Sequence, residues 1–349
     1  MLRIGIVGAG KLGSFHANKA AAHPDVQLTA VADTLESSRN ALAEKYNCTS
    51  CSELKELIPL VDAVVIAAPT SLHYEIGNVC LRLGRHVLME KPLCSSQYEA
   101  QALVNAAKRA NVVLQIGHIE EFNPAWNSIQ HELSEAKEGV PVLIDAVRTS
   151  GYSFRCTDTG TVFDMMIHDI DLILPLIPSQ VISVDAAGFN VIGGPCEDTA
   201  DVRLRFENGT IARLFSSRIA EKTERRMSIT TPSKTVDVDF GTRTARIRKP
   251  ASAVLEGQFA PNRILPEDIA KTVPSFMQDF WTVEEIQNDA VDALSCEMND
   301  FVSSIQNNRE PRVNGIRGLS AVALAETIVD SIRRKTVLEF ARTVNRKAA

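Results

Sequence analysis

Three groups of residues have types and spacings suited to chemistry. The first is Gly8-Ala9-Gly10-Lys11-Leu12-Gly13, with Asp33 twenty residues beyond Gly13. A GxGxxG between a strand and a helix suits the pyrophosphate of a dinucleotide. Gly8 permits a tight turn, Gly10 a close backbone approach, and Gly13 close contact of helix and strand. The helix N-terminus offers unpaired N–H groups and the positive end of a dipole, with Lys11 and Leu12 in its first turn. Asp33 can accept hydrogen bonds from both adenosine ribose hydroxyls and would repel a 2′-phosphate. NAD is therefore the expected cofactor, with NADP less favoured. The alternative is a glycine turn made only for packing.

The second group is Glu90-Lys91-Pro92. A lysine beside a cofactor can take part in proton transfer, because desolvation favours its neutral form. Otherwise it is a surface lysine before a proline turn. The third group is Asp164-Met165-Met166-Ile167-His168-Asp169-Ile170-Asp171. On a helix Asp164 and His168 share a face, one turn apart. A carboxylate there can orient an imidazole as general base for a hydroxyl proton. The apolar residues between them predict an interior position. The same residues also read as metal ligands, with Asp169 or Asp171 added, or as a salt-bridging acidic cluster. No clear third and fourth ligand completes a metal site, so none is expected.

The surrounding elements must position these groups. Residues 1–120 alternate strands (Leu2–Val7, Val26–Ala32, Ala63–Ala68, His86–Met89, Val112–Ile116) with helices (Leu12–Ala22, Ser37–Tyr46, Ser52–Leu57, Leu72–Leu83, Ser96–Ala110). Continuous apolar strands in β-α-β order predict a doubly wound parallel sheet and an α/β class. The loop Ala67-Ala68-Pro69-Thr70-Ser71-Leu72-His73 then lies at the carboxyl edge, where ligands bind, making Ala68, Pro69 and Thr70 candidate cofactor contacts. Thr70 or Ser71 can cap the next helix. His73 reads as a cofactor contact or as a first-turn residue. Residues 121–349 change rhythm. Short alternating strands are expected at Val140–Thr149, Val181–Phe189, Thr199–Phe206, Ile211–Arg218, Arg226–Thr230, Thr235–Asp239 and Thr244–Arg248, with an Asn208-Gly209 hairpin turn. They predict a mainly antiparallel sheet, interrupted by a helix over Thr161–Leu176. The stretch 252–289 has weak periodicity and several prolines, and is expected to be irregular, a lid or an oligomer contact. Helices over Val291–Gln306 and Gly318–Arg334 close the chain, and can pack back on the first domain.

The 349 residues are 45% hydrophobic and 23% charged, with a net charge of −6. That excludes a disordered chain and argues against a nucleic-acid partner, which favours a basic face. No apolar run approaches the ~20 residues of a membrane span. The N-terminus lacks the regions of a signal peptide, and seven scattered cysteines suit reduced thiols, so a cytoplasmic protein is expected. Cys48-Thr-Ser-Cys51 has no second pair or histidine cluster to complete a redox or zinc motif.

Taken together and in order, the three groups resemble the glucose–fructose oxidoreductase / inositol dehydrogenase / rhizopine-catabolism (Gfo/Idh/MocA) oxidoreductases. The stretch Asp300-Phe301…Arg309-Glu310-Pro311…Gly315 looks like that family's closing helix and loop. The resemblance implies that Lys91, Asp164 and His168 are the catalytic lysine, aspartate and histidine. It implies a Rossmann domain followed by an α+β domain with a large open sheet, whose free face commonly builds homodimers or homotetramers.

A narrower resemblance is to the subgroup that oxidises the 3-hydroxyl of UDP-N-acetylglucosamine. It is carried by Gly117-His118-Ile119-Glu120-Glu121-Phe122-Asn123-Pro124, similar to a G-H-x-E-R-F-N-P stretch, and by the segment around His168. Glu121 stands where arginine is expected. In this reading the nicotinamide lies near Lys91, Gly117 and His118, with Glu90 also beside the cofactor. Asn123, Arg148, Tyr152 and Arg155 are candidate substrate contacts, the last three for phosphate or sugar groups, or ordinary sheet charge. The expected substrate is a polyol, a sugar or a UDP-sugar. An inositol or simple-sugar dehydrogenase and a non-catalytic NAD-sensing regulator are the alternatives. Which of His168 and Lys91 takes the proton stays open.

Overall fold

Apolar runs alternating with helical stretches build a six-stranded parallel sheet in the first third of the chain. The structure, a computed structural model, describes residues 1–134, 140–154, 159–192, 196–257, 264–288 and 291–347. β1 (Leu2–Val7) leads to α1 (Lys11–Ala22), β2 (Val26–Ala32), α2 (Glu36–Tyr46), β3 (Thr49–Cys51), α3 (Leu54–Leu57), β4 (Ala63–Ile66), α4 (His73–Arg82), β5 (His86–Glu90), α5 (Gln97–Ala110) and β6 (Leu114–Gly117). The strand order is β3-β2-β1-β4-β5-β6, with parallel pairing throughout. Every residue of β4 is fully buried, as a strand covered on both faces must be. The order reverses between β1 and β4, and the crevice above that point is where such a sheet binds ligands.

α6 (Pro124–Ser134) leads to the second sheet. β7 (Leu143–Thr149), α7 (Ile167–Ile173), β8 (Val181–Phe189), β9 (Thr199–Phe206), β10 (Ile211–Ser217), β11 (Glu224–Thr230), β12 (Thr235–Asp239), β13 (Thr244–Pro250), α8 (Ser252–Leu255), α9 (Pro266–Asp279), β14 (Trp281–Gln287), α10 (Ala293–Gln306) and α11 (Gly315–Lys347) follow. The eight strands run β14-β13-β12-β11-β7-β10-β9-β8, antiparallel except for β7 with β10. In β9 the fully buried Ala200, Val202, Leu204 and Phe206 alternate with exposed Asp201, Arg203 and Arg205. One face therefore packs under helices and the other stays open. Met298, Phe301 and Val302 of α10 join the core of Ile4, Ile6 and Leu88 in the parallel sheet. α11 lies against α5, α7 and β8, so it touches both halves. No helix among the described residues is long and apolar enough to cross a membrane.

Several elements differ from the sequence reading. The stretch 252–289, expected to be irregular, holds α8, α9 and β14 in its described part. Pro266 sits in the first turn of α9, where a missing N–H costs little, and β14 is an edge strand with adjacent glutamates, so neither shows the expected periodicity. α6 and the three-residue β3 were not foreseen. α3 starts at Leu54, because Glu53 and Glu56 cap it reciprocally. The helix expected over Thr161–Leu176 opens as a π-helical turn, Val162–Met166, and closes as a 3₁₀ turn at Leu174–Leu176.

Candidate active site

The glycine loop joins β1 to α1, and each glycine meets a separate constraint. Gly8 has φ +98°, and a Cβ there would lie 2.6 Å from the Ala67 carbonyl oxygen. A Cβ at Gly13 would overlap the Gly8 carbonyl oxygen, whereas one at Gly10 would meet nothing within 4 Å. The loop therefore presents open space above Gly10, at the start of a helix that no side chain caps. Lys11 and Leu12 are exposed beside it. Asp33, after β2, accepts from the Ala9 and Leu35 backbone N–H groups (2.6 and 2.7 Å), so it also braces the loop. A carboxylate has about four acceptor positions, so capacity remains for ribose hydroxyls. This cradle fits a dinucleotide.

The loop after β4 carries Ala68, Pro69 and Thr70 to the same edge. Neither Thr70 nor Ser71 caps α4, which follows a 3₁₀ turn over Thr70–Leu72. His73 is buried, its Nδ1 2.8 Å from the Pro92 carbonyl and its Nε2 3.0 Å from that of Ala68. It ties the loops after β4 and β5 together, so its ring nitrogens face backbone. At the end of β5, Glu90 pairs with His16 of α1 (2.6 Å) and accepts from the Lys91 N–H. Those contacts hold its carboxyl below the usual range despite burial. A Cβ at Gly117 would come within 3.2 Å of that carboxylate. His16 was missed from sequence; its spacing of three from Gly13, on the inner face of α1, is the only signal.

Lys91 crosses between the two sheets. Its Nζ donates to the Asp164 carbonyl oxygen (2.6 Å) and to Asp164 Oδ1 (2.9 Å). The sequence reading had Asp164 orienting His168. The structure corrects this: the carboxylate serves the ammonium, and His168 Nδ1 is buried with no hydrogen-bond partner among the described residues. A helical wheel relates residues of one helix, and cannot see a lysine from another domain. His168 packs edge-on against His118, with ring centroids 6.1 Å apart. Burial, helped by Lys91 and Arg148, pushes the His168 imidazole well below its ordinary range. Burial, with Arg317 and Lys91, pushes His118 down to about 3. Both rings are thus neutral near pH 7, and neither His118 nitrogen has a partner among the described residues.

Two candidate substrate residues turn out to be scaffolding. Arg148 is buried, gripped by both oxygens of Asp169 (3.0 and 2.8 Å) and by Glu120 (2.7 Å), over the Phe240 ring. No N–H is left facing a ligand on the Asp169 side, and its role is to fix the helix turn next to His168. Asn123 is buried too, bonding Glu120, the Phe240 carbonyl and the Ala125 N–H. Tyr152 is half-buried, edge-on to Phe154 and beneath Arg218. Arg155 lies outside the described residues. Glu121 faces neither substrate nor solvent: Arg312, Arg317 and Gln130 bond it at 3.0 Å, and Arg317 also grips Asp171. Among the described residues no cluster of three or more His, Cys, Asp or Glu is arranged to hold a metal ion.

A dinucleotide cradle facing a Lys–Asp pair and a neutral histidine on a helix of the second domain defines an oxidoreductase of the nicotinamide-dependent class. Residues 2–118 match the family model described as "Oxidoreductase family, NAD-binding Rossmann fold" (GFO_IDH_MocA), and residues 145–236 match the GFO/IDH/MocA C-terminal domain. The chain belongs to this family. It is 32% identical to the UDP-N-acetylglucosamine 3-dehydrogenase of Acidithiobacillus ferrooxidans over 93% of this chain and 95% of that one. A solved structure of that enzyme superposes with a TM-score of 0.82 at 30% identity, covering 95% and 97% of the two chains. The inositol 2-dehydrogenase of Rhizobium meliloti is 23% identical over 97% of this chain and 99% of its own.

Proposed function

We propose that this protein is a cytoplasmic, NAD-dependent dehydrogenase that oxidises a secondary hydroxyl of a nucleotide-sugar, the 3-hydroxyl of UDP-N-acetylglucosamine in particular. The observation that carries the reaction is the Lys91–Asp164 pair beside the neutral His168. The relative described as a UDP-N-acetylglucosamine 3-dehydrogenase, similar over nearly the whole chain, supports the substrate. Gly8, Gly10 and Gly13, with the N–H groups of Lys11 and Leu12, hold the pyrophosphate, and Asp33 the adenosine ribose. A 2′-phosphate would meet the Asp33 carboxylate, which favours NAD over NADP. Ala68, Pro69 and Thr70 border the cofactor, and Glu90, Gly117 and His118 flank its reacting end. Free thiols at Cys48, Cys51, Cys80, Cys94 and Cys296 suit a reducing compartment.

Bound there, the nicotinamide supplies the hydride acceptor. The chain's own groups handle position and proton. Lys91, held by Asp164, donates a hydrogen bond to the reacting hydroxyl oxygen and stabilises the negative charge that develops on it. His168 is neutral, so it accepts the hydroxyl proton as the C–H bond breaks. Burial between the sheets excludes water from these steps. The open face of the eight-stranded sheet, where Arg213 pairs with Asp145 and Asp201, is the surface proposed for a homodimer or homotetramer.

The test follows NADH absorbance with UDP-N-acetylglucosamine, inositols and free sugars. Lys91→Ala and His168→Ala are expected to lose about 10²–10⁴ in turnover while still binding NAD. Full activity in either variant refutes the role given to that residue. Oxidation of inositol but of no UDP-sugar replaces the substrate with the second reading, which the inositol dehydrogenase similar over the full length favours. A non-catalytic regulator has no use for the complete Lys91, Asp164 and His168 set.

A further inference from the structure

Arg225 of β11 lies directly opposite Arg148 of β7 in antiparallel register. Side chains so paired leave the sheet on one face, with Cβ atoms about 5 Å apart. The face is the helix-covered one, since Ile144, Ala146, Met227 and Ile229 in phase with them are buried. At this end of the sheet it meets α7, because Arg148 bonds Asp169, the residue after His168.

The two arginines differ in what fills them. Arg148 is 4% exposed and held by two carboxylates. Arg225 is exposed, and its guanidinium has no hydrogen bond or ion pair among the described residues. Its register opposite Arg148, which bonds Asp169, puts it on the stretch of sheet that faces the turn bearing His168. A guanidinium offers five N–H donors in a fork that matches an oxyanion. Nothing else in the proposed reaction at Lys91 and His168 needs an unfilled cation there.

We propose that Arg225 is the residue that selects a phosphorylated substrate, holding the diphosphate of a nucleotide-sugar while its sugar reaches Lys91 and His168. This rests on the nucleotide-sugar reading above. A competing role is charge balance: Glu120 and Asp169 together carry one more charge than Arg148, and Arg225 offsets it through space. The two roles separate by experiment. Charge balance acts on the folded protein whatever is bound, whereas diphosphate binding acts only on phosphorylated ligands.

The probe is UDP itself, with the full-length chain and NAD present. UDP affinity is measured by calorimetry, KM for UDP-N-acetylglucosamine by NADH formation, NAD affinity by titration and folding by thermal melting. Arg225→Gln is expected to weaken UDP binding and raise KM by about 10- to 100-fold, the range for charge-assisted hydrogen bonds. NAD affinity should hold within about twofold and the melting temperature should not move. Arg225→Lys should recover part of the loss, and added salt should weaken UDP binding in the wild type more than in Arg225→Gln. UDP binding by Arg225→Gln equal to wild type overturns the assignment to Arg225 alone. So does a fall in melting temperature with equal losses for UDP and NAD. A wild type that ignores UDP and oxidises only neutral polyols overturns the nucleotide-sugar reading and this proposal together.

Discussion

Replacing Arg148 with methionine distinguishes a scaffold residue from a ligand contact. Side-chain exposure is 4% for Arg148, 9% for Glu120 and 3% for Asp169, so all three charges sit out of water. Removing the cation strands two buried carboxylates. Breaking a buried pair in this way costs about 3–5 kcal/mol. At roughly 2 °C per kcal/mol for a chain of this length, Arg148→Met should melt about 6–10 °C lower than wild type. The variant carrying Glu120→Gln and Asp169→Asn as well should regain most of that loss, because no unpaired charge is left inside. The assay is thermal unfolding at neutral pH, followed in parallel with KM and kcat. A melting temperature within a degree of wild type, with the effect confined to KM, refutes the scaffold assignment and restores Arg148 as a substrate contact.

Three further outcomes follow from the same geometry. Glu297 is buried with neither oxygen hydrogen-bonded in the described structure, and burial beside Glu90 and Asp300 raises its carboxyl well above the usual range. The folded state therefore holds that proton more tightly than the unfolded one. Its stabilising contribution is complete below about pH 4 and is lost as pH rises toward the folded value. Glu297→Gln should melt higher than wild type at pH 8 and gain little at pH 4; equal shifts at both pH values count against the reasoning. Asp33→Ala should weaken NAD binding and improve tolerance of NADP in a titration; an unchanged preference refutes the ribose assignment. Gly13→Ala forces α1 away from the Gly8 carbonyl, and should lower NAD affinity by more than about tenfold, since the helix N-terminus moves with it.

The parallel half was the more legible in sequence. β4 is a continuous apolar run, and β1 and β2 are largely apolar, because both faces are covered, and three glycines at fixed offsets leave few other readings. The site was half legible. Lys91, Asp164 and His168 were identified, but the Lys91–Asp164 bond was not, since 73 positions separate the partners and nothing local announces it. Arg148 read as a ligand contact because an arginine on a strand does not reveal the two carboxylates waiting for it on other elements. Arg225 was passed over for the same reason in reverse: that its guanidinium has no partner among the described residues becomes visible only in the folded chain. β14 and α9 were lost because an edge strand needs no apolar alternation and a proline-bearing helix hides its period.

The knot at Glu121 bears on how this sequence can drift. Arg312, Arg317 and Gln130 converge on one carboxylate, and Arg317 is shared with Asp171 of α7. An arginine at position 121 alone would crowd three guanidiniums together. The opposite change, neutralising Arg317 first, would strand Glu121 and Asp171. Positions 121, 312 and 317 are therefore coupled: a change of charge at one leaves its partners unbalanced. The carboxylate at position 121 thus fastens the turn after β6 to α7 and α11 through one shared guanidinium.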